Sequence, residues 1–307
     1  MIDRLTFAWW NTGLSPVGRP QATPEDLHTA TLVVKFLLQD VQVDCLGLGE
    51  VTKADLDQLL QEIALPDYAA YDGTLREGRV QFDTAAIFNT ECLTKVDDVT
   101  TIDRHGNRSL KLANRIDFVV PGESKPFHVF ISHWPSHLVP DSDLLRIRLG
   151  ARLREVILSL INRYNGDARL IVMGDFNEEP FHQSLEGQLL ATRDRKLVQN
   201  SPAYLYNPFW RCMGESHPYD CSKTIPSFAG TCYVPSGHTT KWKTVDQIIF
   251  SAAFVGRSEW HLKEDLTKIL HITPRVKGKT SSADIFDHFP VIATIEKVIH
   301  KEGGDHA

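Results

Sequence analysis

The sequence has 307 residues, 42% of them hydrophobic and 23% charged, with a net charge of −6 and a pI near 6.1. That is ordinary globular composition, and the length fits one large α/β domain or two small ones; a chain this long buries most of its unfolded surface and needs no disulfide staple. The acidic balance counts against tight, passive nucleic-acid binding through a broad basic face, yet it suits an enzyme whose carboxylates hold a cation that meets a phosphate.

In chain order, residues 5–10 alternate and stop at Asn11-Thr12-Gly13, which predicts a strand ending in a polar turn. Residues 14–24 are rich in Pro and Gly and read as a loop. From 25 to 38, Leu27, Ala30, Thr31, Val34, Leu37 and Leu38 recur at helical spacing behind a Thr23-Pro24 cap. A short apolar strand over 43–48 ends at Glu50, and 53–63 reads as a second helix. Strands follow at 84–89, 116–120 and 127–132. Residues 143–163 form a long amphipathic helix: Leu145, Leu149, Leu153, Val156, Ile157, Leu160 and Ile161 make its stripe, opposite an arginine-rich face. Further strands are predicted at 170–173, 245–251 and 290–295.

No repeat or low-complexity tract divides the chain, so residues 1–300 read as one catalytic-size domain and 301–307 as a disordered tail. The expected fold is a layered α/β sandwich, its sheets covered by helices. No run approaches the ~20 apolar residues of a membrane span. The start, MIDRLTFAWWN, lacks a basic n-region and apolar h-region, which leads to the expectation of a cytoplasmic protein. The five cysteines (Cys45, Cys92, Cys212, Cys221, Cys232) form no C-x-x-C pair and read as reduced packing residues. A zinc site is the alternative, because the last three fall near His217 and His238.

The informative pattern is what stands at the strand ends. Asn11, Glu50, His133, Asp175 with Asn177, Asp246 and Asp287-His288 each adjoin an apolar strand. Any one of these would serve as a polar cap; together they supply a chemical kit on rigid positions. Glu50, with Asp175 or Asp287 nearby, offers hard oxygen ligands for Mg²⁺, Mn²⁺ or Ca²⁺. A histidine beside a carboxylate can take a proton from water, and Asn11 and Asn177 can hydrogen-bond a phosphate without adding charge. This kit points to phosphoester hydrolysis.

Six segments carry a resemblance: W-N-T-G at 10–13, L-G-E-V at 48–51, S-H-W-P-S at 132–136, M-G-D-F-N at 173–177, V-D-Q-I-I at 245–249 and D-H-F-P-V at 287–291. In this order they resemble the successive motifs of the endonuclease/exonuclease/phosphatase superfamily. The resemblance implies a four-layer sandwich, two mostly antiparallel or mixed sheets between helices, with the site at one sheet edge. It also implies Glu50, Asn11 and Asp287 as metal ligands and Asp175 and Asn177 as the residues positioning water and phosphate. His288, oriented by Asp246, would be the general base or a phosphate contact, and His133 would act on the leaving-group side. Asp83 resembles the carboxylate that orients His133, and Arg115 resembles a phosphate-contacting arginine; alternatively Asp83 is a strand-edge acid and Arg115 a solvated charge.

His133 is similar to the histidine of the deoxyribonuclease-like, extracellular-nuclease, inositol-phosphatase and sphingomyelinase branches rather than to apurinic endonucleases. The expected activity is a nuclease on nucleic acid, DNA rather than RNA, with a phosphatase or phosphodiesterase of small molecules or lipid headgroups as the alternative. Arg146, Arg148 and Arg152 join Arg115 as expected phosphate contacts, unless the helix arginines are a solvated face. The aromatics of 204–210, Tyr233 and Trp242 would stack on bases or pack an irregular insertion.

Overall fold

Alternation along the first strand, β1 (Arg4–Asn11), sends Leu5, Phe7 and Trp9 to one face and Ala8 and Trp10 to the other. All five are buried, so this strand is covered on both sides and belongs to the middle of a layered fold. The computed structural model describes residues 2–16, 22–77, 80–105, 108–214, 229–237, 240–272 and 286–298. The expected disordered tail, and Cys221, His217 and His238 of the zinc alternative, lie outside the described residues.

The strands continue as β2 (Cys45–Gly49), β3 (Tyr68–Asp72), β4 (Arg76–Glu77), β5 (Val80–Gln81), β6 (Thr84–Asn89), β7 (Thr94–His105), β8 (Arg108–Val119), β9 (Phe127–His133) and β10 (Arg169–Asp175). They end with β11 (Ala191–Thr192), β12 (Leu205–Tyr206), β13 (Cys232–Tyr233), β14 (Trp242–Lys243), β15 (Asp246–Phe250), β16 (Trp260–Ile269) and β17 (Val291–Lys297). One sheet runs β16-β17-β1-β2-β6-β3 and the other β11-β12-β15-β10-β9-β8-β7. Both are mixed: β1 lies parallel to β2, β10 parallel to β9 and β11 parallel to β12, while their other pairings are antiparallel.

Between the sheets lies one apolar core, with Phe7, Trp9, Ile131, Met173, Ile248 and Ala293 among its members. Helices α1 (Pro24–Lys35) and α2 (Lys53–Ile63) cover the outer face of the first sheet through Leu27, Val34, Leu56 and Leu59. Helix α3 (Ser142–Arg163) covers the second sheet through Leu149, Leu153 and Ile157. A short helix α4 (Arg195–Asn200) follows. The result is the four-layer sandwich that the sequence motifs implied. Thr23 and Thr52 each close a capping box with an aspartate three residues on, which fixes where α1 and α2 begin. Helix α1 passes into a π-helical turn, Phe36–Asp40, where the sequence pattern predicted one continuous helix.

The long strands that the sequence pattern did not predict are β3, β7 and β16, and all three are sheet edges. An edge strand carries charge to discourage pairing with another chain, so Thr94–His105 and Trp260–Ile269 lose the apolar alternation that marks a buried strand.

Far from the strand ends named above, Glu123 clasps the two sheets together. It accepts from Lys297 Nζ at 2.9 Å and from the Trp260 indole at 3.2 Å, both on the first sheet, and from Arg169 at the start of β10 on the second. Burial pushes the Glu123 carboxyl up, but the bonds from Lys297 and Arg169 outweigh it and hold the group below its ordinary value. A lowered folded-state pKa stabilises above the unfolded value, and that stability is lost as pH falls through the folded one. Glu123→Gln should therefore cost about 2 kcal/mol at pH 7, less than a fully enclosed pair because this one sits at the rim. Urea unfolding should show the gap narrowing below about pH 4; a gap independent of pH contradicts the assignment.

Candidate active site

Side-chain parity brings the polar residues together. Asn11 continues the inward series Leu5, Phe7, Trp9 of β1, and Asp175 continues Ile171 and Met173 of β10. His133 continues Val129 and Ile131 of β9, while Asp246 precedes Ile248 and Phe250 of β15. Asp175 is in register with His133 on one side and Asp246 on the other. On the facing sheet Asn11 is in register with Gly49, one residue before Glu50. All of these therefore point into the same end of the gap between the sheets.

Two glycines make this approach possible. A Cβ at Gly174 would lie 1.9 Å from the Ser132 carbonyl oxygen, and one at Gly49 would lie 2.7 Å from the Trp9 ring. The Trp9 indole fills the space beside Gly49 and donates to Asp246 Oδ1 at 2.8 Å, joining the two sheets at the site. Glu50 and Asn177 each turn the chain with positive φ, +54° and +53°. For a glutamate this backbone is strained, a feature that clusters at functional positions.

Two histidine–carboxylate pairs flank a central acid. His288 Nδ1 lies 2.7 Å from Asp246 Oδ2, and His133 Nδ1 lies 3.0 Å from Asp83 Oδ2. Between them Asp175 Oδ2 accepts from Asn11 Nδ2 at 3.2 Å and stands 3.9 Å from His288 Nδ1 and 4.0 Å from His133 Nε2. Asp175 Oδ1 accepts the Asn177 backbone N–H at 2.7 Å. The Glu50 carboxylate is lightly engaged, with a 3.4 Å bond from Asn11 and His133 Nε2 at 3.9 Å. Asp287 lies 3.8 Å from His288 Nε2.

Burial and, next, the neighbouring charge of Asp246 push the Asp175 carboxyl up to about 6 against the pull of His288 and His133. For His288 burial opposes protonation, but the Asp246 carboxylate outweighs it and holds the imidazole well above its ordinary value. His133 is raised in the same way by Asp83. Burial would raise Asp83, yet His133 and Lys111 together hold it well below the usual carboxylate range. Cys232 also contacts His288: the two are bridged through their backbones, and the thiol hydrogen-bonds the imidazole.

The structure thus gathers Asn11, Glu50, Asp83, His133, Asp175, Asn177, Asp246, Asp287 and His288 at one end of the sandwich. The expected basic residues are engaged with protein groups there and elsewhere and are not held free for a phosphate. Arg115 is ion-paired with Asp117 at 3.0 Å and Asp97 at 3.5 Å. Arg148 and Arg152 both hold Asp103, at 2.7 and 3.2 Å, and Arg146 is fully buried rather than solvated. Of the aromatic loop, Tyr206 and Phe209 belong to the inter-sheet core. Two residues escaped the sequence analysis. Lys111 pairs with Asp83, and its lone charge between Leu110 and Leu112 was the available signal. Trp9 looked like core because an indole donor has no spacing signature.

A model of the "Endonuclease/Exonuclease/phosphatase family" matches residues 22–297. No curated protein sequence matches the chain. Among solved structures it is similar to the human Nocturnin catalytic domain (16% identity, TM-score 0.60, covering 97% of each chain). It is similar to zebrafish (D. rerio) TDP2 complexed with a single-stranded DNA product (16% identity, TM-score 0.60, 96% of this chain and 99% of that one). A Bacteroides thetaiotaomicron mannosyl-6-phosphatase is a third (18% identity, TM-score 0.59, 96% of this chain and 100% of that one). At these identities the likeness speaks for the fold.

Because Asp246 has one oxygen on Trp9 and the other on His288, the acid and the histidine should behave as a unit. Asp246→Asn and His288→Ala should each lower turnover by about two orders of magnitude, and the double variant should fall no further than the worse single. Full additivity in that cycle contradicts the pairing.

Proposed function

The chain belongs to the endonuclease/exonuclease/phosphatase family, whose members are phosphoesterase hydrolases, and from that premise we propose that it is a divalent-metal-dependent nuclease hydrolysing phosphodiester bonds of nucleic acid. The observation that carries the reading is Asp175. Asp175 and Asp246 are buried acids paired across neighbouring strands, and with Glu50 and Asp287 beside His133 and His288 they make a site with more carboxylates than histidines to offset them.

Such a site fits a cation. Glu50 has a lightly engaged carboxylate, and with Asn11 and Asp287 it would hold Mg²⁺ or Mn²⁺ through hard oxygen donors. The ion supplies charge neutralisation on the phosphate as the transition state forms. The chain's own residues do the rest. Asp175, held between Asn11 and the Asn177 backbone at the centre of the site, takes a proton from the attacking water. Asn177, whose Nδ2 donates to the Trp134 carbonyl at 2.9 Å, presents its side-chain oxygen to that water. His288, kept protonated by Asp246, suits a phosphate contact better than a general base. His133, oriented by Asp83, donates to the leaving oxygen.

A second reading, a phosphatase or phosphodiesterase of small phosphoesters, has its own support. With Arg115, Arg148 and Arg152 spent on acids and Arg146 buried, the expected track for several phosphates is absent from the described residues. A nuclease built this way contacts one or two phosphates and binds with a shallow salt dependence. Chelator-treated protein, reconstituted with Mg²⁺ or Mn²⁺, is to be offered single- and double-stranded DNA, RNA, cyclic dinucleotides and sugar or inositol phosphates. Cleavage of oligonucleotides is expected, abolished by chelation and cut at least 100-fold by Glu50→Gln with thermal stability preserved. Turnover of monoesters with no action on oligonucleotides would move the assignment to the second reading.

A further inference from the structure

Burying a guanidinium is costly unless its donors are satisfied, so the partners of Arg146 report what it is for. Its Nε donates to Glu178 Oε1 at 2.7 Å and its Nη1 to the Pro135 carbonyl at 2.7 Å. Its Nη2 meets His137 Nδ1 at 3.1 Å, and the Asp143 carboxylate closes the cluster. A guanidinium only donates, so His137 Nδ1 must accept, which leaves the ring proton on Nε2. That Nε2–H points at the Asn177 carbonyl, 2.8 Å away. Asn177 in turn gives its backbone N–H to Asp175 and its Nδ2 to the Trp134 carbonyl.

Two loops meet in this chain of bonds. One follows His133 and contributes Trp134, Pro135 and His137; the other follows Asp175 and contributes Asn177 and Glu178. His137, Asp143 and Glu178 are close enough together for a metal site. The Arg146 guanidinium bonds to all three and offsets one of their two carboxylate charges, so they form a clamp instead.

We propose that Arg146 and His137 are positioning residues for the hydrolysis: the buried guanidinium fixes the His137 tautomer, and His137 holds Asn177 in place against Asp175. The inference rests on the hydrolytic reading for its kinetic consequence, though not for its structural one. His137 has 47% of its side chain exposed, so truncation should cost little stability. A residue of only structural importance at such a position would leave turnover alone.

In the full-length protein, His137→Ala should lower kcat about tenfold with KM within about twofold and Tm nearly unchanged. Arg146→Lys should produce a similar fall in kcat, because an ammonium cannot hold Pro135, Glu178 and His137 in one fixed fork. The double variant should be no worse than the more impaired single. Amide hydrogen exchange at Asn177 and Trp134 should accelerate in both single variants whether or not a substrate is known. Wild-type kcat in His137→Ala, or unchanged exchange at Asn177, overturns the proposal. A wild-type protein inactive on every phosphoester offered would defeat the hydrolytic reading alone, and the exchange measurement would still decide the clamp.

Discussion

The shorter of two hydrogen bonds that link a β1 side chain to the facing sheet at this site runs from the indole N–H of Trp9 to the Asp246 carboxylate at 2.8 Å; the other, from Asn11 to Asp175, spans 3.2 Å. Packed sheets hold one another through apolar contact, which resists separation but tolerates sliding. A directed bond between buried groups does not, since a misplaced donor leaves a buried carboxylate oxygen unpaired at a cost of about 1–3 kcal/mol. By fixing Asp246, Trp9 also fixes His288, which reaches Asp246 from the first sheet side of the gap just ahead of β17. Gly49 is small because the Trp9 ring needs its space. Indole, glycine, acid and histidine form one dependent series.

The electrostatics follow from bringing these strand ends so close. Asp175 and Asp246 are paired across neighbouring strands, the arrangement that like charges resist. The fold answers with histidines on either side, each backed by its own carboxylate. The outcome is a division of labour: Asp246 and Asp83 raise the proton affinity of their histidines, while burial and the Asp246 charge raise that of Asp175. Glu50 stands apart, partly exposed and lightly bonded, where a cation from solvent could meet it.

Much of this was legible in the sequence, for a definite reason. Period-two alternation marks which residues of a strand share a face, so Asn11, His133, Asp175 and Asp246 could each be read as lying at the end of a buried strand. The covered central strands carried that signal; the long edges β7 and β16 did not, because edge strands trade apolar residues for charge, and the five-residue edge β3 carries no alternation to read. What alternation cannot reveal is partnership at a distance. The arginine face of α3 read as phosphate contacts or a solvated face because its partners are remote: Asp103 lies 45 and 49 positions from Arg148 and Arg152, and Glu178 lies 32 from Arg146. Trp9 and Asp246 are 237 positions apart. Only the assembled sandwich makes them neighbours.

The claim that the inter-sheet bond, more than the apolar core around it, sets the catalytic geometry is tested most directly by Trp9→Phe. The change keeps an aromatic ring against Gly49 and removes the N–H donor. Turnover and thermal unfolding should be measured on the same preparation, with activity read well below the transition. We expect kcat about tenfold lower or worse with the protein still fully folded, because Asp246 and His288 lose their anchor. Wild-type turnover in a folded Trp9→Phe protein would contradict the account.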